Sequence, residues 1–274
     1  MVLRALTCRG YMMMMCLLIV LSRCHEVAPL IVAANRDEWL ARPAAACAVV
    51  QDRDPRIVGG RDELAGGTWL AVNEHGVFAG LTNRPAPARN PARRSRGELP
   101  LALTRHQSAR DAARDFVDRF HPVDYGPAWL MVGDRSALFL LDMTGGQAPG
   151  VEELPPGVHV LENRAWGAPS AKVAAVRARL RDVQSLNALA LHRHLLDTLR
   201  AHDAPDGPGD DSGVPGFTRP RETEANCVHA GPYGTRSASI VLVPGPPGLP
   251  RIWCSDGPPC THELVERTSL FTDR

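Results

Sequence analysis

Lysine is almost absent from this chain of 274 residues: Lys172 is the only one, and arginine carries the rest of the positive charge. A GC-rich coding sequence accounts for that preference as well as any function does. Basic and acidic residues balance at 31 against 30, which argues against a nucleic-acid groove with its basic stripe. Aromatic residues make up only 5%, but a hydrophobic fraction of 44% is enough for one sizeable core.

The chain also lacks a regular cysteine pattern. Seven cysteines are an odd number, and their irregular spacing argues against a disulfide framework and favours a reducing compartment such as the cytoplasm. Cys227-x-His229 and Cys260-x-His262 pair thiols with imidazoles, but the spacing of one residue is unlike that of a zinc knuckle. We therefore expect no metal site.

No apolar stretch is long enough to span a bilayer, so we expect no transmembrane span. The run 12–21 follows Arg4 and Arg9 and is similar to a short secretory h-region, yet no Ala-x-Ala site follows it. Three interpretations stay open: an early start with Met15 as the true initiator, a propeptide, or a signal peptide. We favour the early start, in which removal of Met15 leaves Cys16 as the N-terminus.

The chain is therefore divided into an N-terminal extension, residues 1–15, and one domain, residues 16–274. Strands, helices, strands, helices and strands follow one another in that domain, which predicts two sheets layered against helices. Residues 202–221 are rich in Gly, Pro and Asp and predict a flexible loop. The pattern Ser95-x-x-Glu98 predicts a capping box, and residues 264–271 predict a final strand.

A thiol and a charge cluster mark the ends of the first predicted hairpin. The apolar runs 17–21 and 30–34 predict two strands; Cys16 precedes the first, and Asn35-Arg36-Asp37-Glu38 follows the second. Pairing of the two strands would place the thiol beside an arginine and an acid, which can lower a thiol pKa and orient a nucleophile. A buried structural thiol is the alternative.

Six short segments resemble, in their order along the chain, the NRDE family, which includes the transport and Golgi organisation protein 2 group. The segments are Met15-Cys16, Asn35-Arg36-Asp37-Glu38, Gly66-Gly67-Thr68-Trp69-Leu70, Leu81-Thr82-Asn83, Arg96-Gly97-Glu98-Leu99 and Tyr233-Gly234-Thr235-Arg236. The similarity runs from Met15 to about Phe271.

That family is more distantly similar to N-terminal-nucleophile (Ntn) hydrolases of the bile-salt hydrolase and penicillin V acylase type. The resemblance implies an α+β fold, a four-layer αββα sandwich, and a cysteine nucleophile exposed at the N-terminus. The residues that match catalytic positions are Cys16 as nucleophile, Asn83 and Asn163 as oxyanion donors, Asp37 as holder of the α-amino group, and Arg36 or Arg236 near the thiol. Neighbours on a strand face opposite sides, so Arg36 and Asp37 share one pocket only if a bulge intervenes.

The resemblance implies a small-molecule ligand or substrate and leaves three functions open. The first is a cysteine amidase that hydrolyses a small acyl amide and requires no cofactor. The alternative is a non-catalytic protein that binds and traffics haem, lipid or acyl-CoA, roles in which members of the family are implicated; haem is then the possible cofactor. The third is an interaction protein with a vestigial pocket.

Overall fold

The computed structural model describes residues 11–12, 16–84, 86–87, 90, 92–205 and 221–273, so Met15 and most of the predicted loop lie outside the described residues. The strands in chain order are β1 (Tyr11–Met12), β2 (Leu17–Ser22), β3 (Leu30–Trp39), β4 (Ala44–Gln51), β5 (Ile57–Asp62), β6 (Leu70–Asn73), β7 (Phe78–Asn83), β8 (Ala86–Pro87), β9 (Ala128–Gly133), β10 (Leu138–Asp142), β11 (Gly150–Glu153), β12 (Gly157–Leu161), β13 (His229–Ala230), β14 (Tyr233–Val243), β15 (Arg251–Ser255) and β16 (Val265–Glu266). The α-helices are α1 (Glu98–Leu103), α2 (Ala109–Arg119), α3 (Ala171–Arg179) and α4 (Ala188–Arg200). Among these residues no helix has the length and apolar character needed to cross a bilayer.

Two antiparallel sheets form the body of the protein. The first sheet has the order β12-β2-β3-β14-β15-β16, with β13 paired to β14. The second sheet has the order β11-β10-β9-β7-β6-β5-β4, and β1 and β8 form a separate pair. Sequence neighbours are mostly spatial neighbours, as expected for sheets built from hairpins.

Alternation along the strands sorts the core into layers. One cluster lies between the two sheets and includes Leu18, Val20, Val32, Phe78 and Met131. A second joins the second sheet to α1 and α2, and includes Val77, Ala79, Leu99, Phe116 and Leu130. A third joins the first sheet to α3 and α4, and includes Leu17, Ile19, Ile31, Val176 and Leu195. The fold is therefore an α+β, four-layer αββα sandwich, as the sequence predicted.

The register of β3 determines the position of the Asn-Arg-Asp-Glu segment. Leu17 of β2 lies opposite Asn35, so the first strand begins beside this segment. On its other edge, β3 pairs with β14, where Asp37 lies opposite Thr235 and the register shifts before Ser237. The segment thus lies on the middle strand of the three neighbouring strands β2, β3 and β14. Cys16 lies beside it, immediately before β2.

Two local predictions are wrong. Helix α1 begins at Glu98 with Gly97 as its N-cap and has no side-chain cap. The Glu98 carboxylate instead accepts a hydrogen bond from the Tyr125 hydroxyl, so a tertiary partner replaces the capping box. In residues 264–271 only Val265–Glu266 is a strand, and a 3-10 turn over Thr268–Phe271 follows it.

Candidate active site

Cys16 lies at the cavity end of β2, with its side chain on the intersheet side. Its residue is 7% exposed, and Sγ is 4.0 Å from the main-chain oxygen of Asp37. Burial and the neighbouring Asp37 carboxylate raise the pKa of this thiol to about 12, although the Arg36 charge acts in the opposite direction. The thiol is therefore protonated at neutral pH and needs a base to become a nucleophile.

Arg36 and Glu38 share the cavity face of β3, as residues two apart on a strand must. The Arg36 guanidinium lies 3.5 Å from the Glu38 carboxylate and 4.0 Å from Asp62. Its carbon is 4.4 Å from the centroid of the Trp69 ring, within range of a cation–π contact. These contacts hold the guanidinium flat against the cavity wall.

Asp37 belongs to the opposite face of β3, the one that carries the helix layer. It is fully buried, and its Oδ1 accepts a 2.6 Å hydrogen bond from the Thr235 hydroxyl. Its Oδ2 has no hydrogen-bond partner within the described part of the chain. Burial raises the pKa of Asp37 to about 7, although Lys172 and the Thr235 hydrogen bond act in the opposite direction.

Asn163 and Asn83 meet next to Cys16. The Asn163 side chain accepts a 2.6 Å hydrogen bond from the main-chain N of Cys16 and donates another to the main-chain oxygen of Asn83. Across the sheets, the Thr82 hydroxyl donates to the main-chain oxygen of Glu162 at 3.0 Å, which fixes the two asparagine-bearing segments together. The Asn83 side-chain oxygen is buried and makes no hydrogen bond to any described residue, so its carboxamide is available to a ligand.

Arg236 stands apart from this group. Its guanidinium binds the Asp256 carboxylate at 2.8 Å and the main-chain oxygen of Ala44 at 3.4 Å. It does not line the cavity that contains Cys16. Of the two arginines proposed from the sequence, the structure brings Arg36 to the thiol and leaves Arg236 on the outer part of β14.

A cavity of about 310 Å³ opens in front of the thiol. Six arginines and two acids line it: Arg36, Arg42, Arg84, Arg93, Arg94, Arg96, Glu38 and Asp62. Asp37 also borders it, and its main-chain oxygen lies 4.0 Å from Cys16 Sγ. Trp69 and Leu81 add apolar surface. In a chain of net charge +1, the lining of this cavity therefore combines an excess of arginines over acids with apolar surface.

Two glycines allow one wall of the cavity to form. The Thr68 amide donates to the main-chain oxygen of Gly97 at 2.8 Å. A Cβ on Gly67 would lie 2.5 Å from the main-chain carbon of Gly97, closer than any real contact. The close approach of the two backbones therefore requires glycine at position 67, and a Cβ on Gly97 would lie 3.1 Å from Gly67 Cα, a tight contact.

Lys172 is a buried residue near the site that the sequence did not predict as a site residue. It is 1% exposed, and its ammonium has no hydrogen-bond partner in the described ranges. Its charge lowers the pKa of both Asp37 and Glu162; for Glu162, burial would raise the pKa, but Lys172 and Arg164 outweigh it. A single lysine in a chain that otherwise uses arginine was the available signal.

Comparison with known proteins places the chain in a family. The family model "Transport and Golgi organisation 2" matches residues 15–246. The chain belongs to this family. Its relatives include the mouse Transport and Golgi organization 2 homolog, which is 31% identical over 231 residues, covering 78% of this chain and 82% of the mouse protein.

Solved structures similar to this Transport and Golgi organisation 2 family member include Ntn-hydrolase-type acylases. Penicillin V acylase from Agrobacterium tumefaciens has a TM-score of 0.55 at 11% identity, over 93% of this chain and 87% of the acylase. A variant of the conjugated bile acid hydrolase from Clostridium perfringens has a TM-score of 0.55 at 9% identity, over 96% and 95% of the two chains. At these identities the likeness establishes the fold and says nothing of the reaction.

Proposed function

We propose that the protein is a cysteine amidohydrolase that cleaves a small acyl amide carrying a negative charge. Cys16 is its nucleophile once the residues before it are removed. The observation that carries the proposal is the 2.6 Å contact between the main-chain N of Cys16 and Asn163 Oδ1. If this nitrogen is a free α-amine, it can still donate a hydrogen bond to Asn163 Oδ1. Unlike an amide nitrogen, it also has a basic lone pair that can accept a proton.

The α-amine supplies the base that the buried thiol needs. With an ordinary pKa of about 8, it accepts the Sγ proton, and the thiolate attacks the carbonyl carbon of the substrate. Collapse of the tetrahedral intermediate breaks the C–N bond, and the α-ammonium returns its proton to the leaving amine. Water then hydrolyses the thioester and releases the acid. The buried Asp37 carboxylate stabilises the ammonium between these transfers.

In this mechanism the N–H groups of the Asn83 and Asn163 carboxamides donate to the oxyanion of that intermediate. One such donor typically contributes about 3–4 kcal/mol to the transition state. The arginines of the cavity select a substrate whose acyl or amine part is anionic, because they outnumber the acids beside them.

Two measurements test the proposal together. Intact mass and the N-terminal residue of protein purified from its native host should show Cys16 at the N-terminus. The rate of amine release should be compared for matched N-acyl amides whose leaving amine carries a carboxylate, no charge or a positive charge. The amides with the carboxylate should be cleaved fastest. Cys16→Ala should abolish release, and Cys24→Ala should leave it unchanged, because Cys24 lies outside the cavity. Turnover by Cys16→Ala would overturn the proposal.

A second candidate is binding without cleavage, of haem or of a lipid or acyl-CoA. The thiol pKa of about 12 favours it for a chain in which Cys16 remains acylated by residue 15, because no base is then present. Cys16→Ala should retain the ligand under this hypothesis and lose turnover under the first. A flat haem titration, together with no co-purified ligand by mass spectrometry, would count against binding.

The cysteines support a cytoplasmic location, which we propose with the function. The six that the structure describes, Cys16, Cys24, Cys47, Cys227, Cys254 and Cys260, are all free thiols. Free thiols of this number are typical of reducing compartments. Fractionation of the native host tests the location.

A further inference from the structure

Four metal-ligating side chains from three separate segments converge away from the cavity. His202 follows α4, Cys227 and His229 flank the start of β13, and Cys260 lies in the segment after β15. One potential ligand atom from each of the four lies within 4.8 Å of every other. No carboxylate belongs to this group of two thiols and two imidazoles, which is a donor set preferred by zinc.

The distances fit the edges of a tetrahedron around one ion. With zinc–sulfur bonds of about 2.3 Å and zinc–nitrogen bonds of about 2.0–2.1 Å, the S–S edge is about 3.8 Å and each S–N edge about 3.5 Å. Cys227 Sγ and Cys260 Sγ are 3.6 Å apart. His229 Nε2 is 3.2 Å from Cys260 Sγ and 3.7 Å from Cys227 Sγ. The two sulfurs are too far apart for a disulfide, whose S–S bond is about 2.05 Å.

The backbone around the cluster sets the orientation of the ligands. Nδ1 of His202 lies 3.1 Å from the main-chain oxygen of Cys227, so it must carry the proton, and the lone pair of Nε2 is free for an ion. The Cys227 amide donates to the main-chain oxygen of Ala201 at 2.9 Å. Cys227 lies in a bend just before β13, and His229 is the first residue of that strand, which brings Cys227 Sγ and His229 Nε2 to 3.7 Å.

We propose that His202, Cys227, His229 and Cys260 form a structural Zn²⁺ site. Four protein ligands fill the tetrahedron, so no position remains for water or substrate. Binding would release one proton from each thiol. The ion would join the end of α4, the β13 hairpin and the segment after β15.

The site would also support the candidate active site. The Val228 amide, between two ligands, donates to the Thr235 hydroxyl oxygen at 2.8 Å. That hydroxyl donates in turn to the Asp37 carboxylate at 2.6 Å. The zinc site therefore holds the hairpin that supplies the buried hydrogen bond of Asp37.

The test measures metal content and affinity in the full chain. Protein purified without added metal is analysed by inductively coupled plasma mass spectrometry, and affinity is measured by competition with a chromophoric chelator. We expect one zinc per chain, and a loss of affinity of about 10-fold or more for both His202→Gln and His229→Gln. Co²⁺-loaded protein should show a thiolate charge-transfer band and the visible bands of tetrahedral cobalt.

His262→Gln is the matched control, since His262 also stands two residues from Cys260 but lies outside the cluster. It should keep full zinc affinity. Cys227→Ser or Cys260→Ser can disturb folding. His202→Gln is therefore the decisive variant, because His202 is exposed and its replacement disturbs packing least. Metal content far below one per chain, equal loss in His262→Gln, octahedral cobalt bands, or a Cys227–Cys260 disulfide in peptide maps would each overturn the proposal.

Discussion

Replacing Asp37 by Asn should remove part of the dependence of stability on pH. The carboxyl is fully buried, and burial raises its pKa from 3.8 to about 7 despite the opposing effects of Lys172 and the Thr235 hydroxyl. A group whose pKa is raised in the folded state binds its proton more tightly there than in the unfolded chain. Its contribution to stability is therefore complete below about pH 4 and is lost as pH rises through about 7.

The size of the effect follows from linkage. A rise from 3.8 to about 7 is roughly three pKa units, and each unit is worth about 1.4 kcal/mol, so the whole contribution is about 4 kcal/mol. Between about pH 5 and pH 8 the free energy of unfolding of the parent protein should fall by about 3 kcal/mol from this group alone. Asp37→Asn lacks that fall. Contacts that do not titrate cancel when the two pH profiles are subtracted.

Urea unfolding at several pH values measures both profiles, with Asp134→Asn as the control. Burial alone would raise the pKa of Asp134, but hydrogen bonds from Ala109, Ser136 and Ala137 hold it below its usual range. Its stabilisation is present above its unfolded pKa and is lost only as pH falls through the lower folded value, so Asp134→Asn should run parallel to the parent over this range. A parallel profile for Asp37→Asn would refute the argument. In protein with a free Cys16 α-ammonium, the Asp37 effect should shrink, because a nearby positive charge favours the carboxylate.

Three further substitutions test single contacts. Under the proposed amidohydrolase mechanism, Asn83→Ala should lower kcat by about 100- to 1000-fold with little change in folding, because it removes one proposed oxyanion donor; unchanged kcat would remove Asn83 from the mechanism. Gly60→Ala places a Cβ 1.9 Å from the Trp69 ring, so the ring must move. We expect a loss of about 1–3 kcal/mol in urea unfolding and a changed tryptophan fluorescence, and an unaltered spectrum would contradict that contact. Phe116→Ala, at 1% exposure, should cost about 3–5 kcal/mol in the same assay; a cost below about 1 kcal/mol would show that α2 is not anchored there.

The sequence was informative where side chains alternate over a short range. The runs 17–21 and 30–34 predict paired strands because a period of two is a local property, and β2 and β3 pair in that way. The same alternation places the Arg36 and Asp37 side chains on opposite faces of β3. The register shift opposite this segment lies on β14, and it leaves the two side chains on opposite faces.

Other features depend on neighbours that are distant in sequence. Ser95 and Glu98 have the spacing of a capping box, but the Tyr125 hydroxyl donates to the Glu98 carboxylate instead. Tyr125 is 27 residues away, so no local sequence pattern predicts this partner. The same is true of the proposed zinc site. From the sequence, Cys260 is grouped with His262 because they are only two residues apart. In the structure the cluster contains His202 and not His262. Ligand sets assembled from separate segments follow from topology, which spacing does not encode.

Because successive side chains of β3 point to opposite faces of the sheet, the Asn-Arg-Asp-Glu segment has two separate roles. Arg36 and Glu38 face the cavity, where they meet the thiol and any ligand. Asn35 faces the helix layer, and its amide donates to the main-chain oxygens of Leu199 and Asn226 at 2.9 and 2.8 Å. Asp37, on the same side, is held by Thr235. Because Asn226 directly precedes the proposed zinc ligand Cys227, the helix-side pair connects that site to the strand beneath the thiol. Substitutions on the cavity side should therefore change ligand affinity and leave zinc affinity unchanged, whereas Asn35→Ala should lower stability and zinc affinity together.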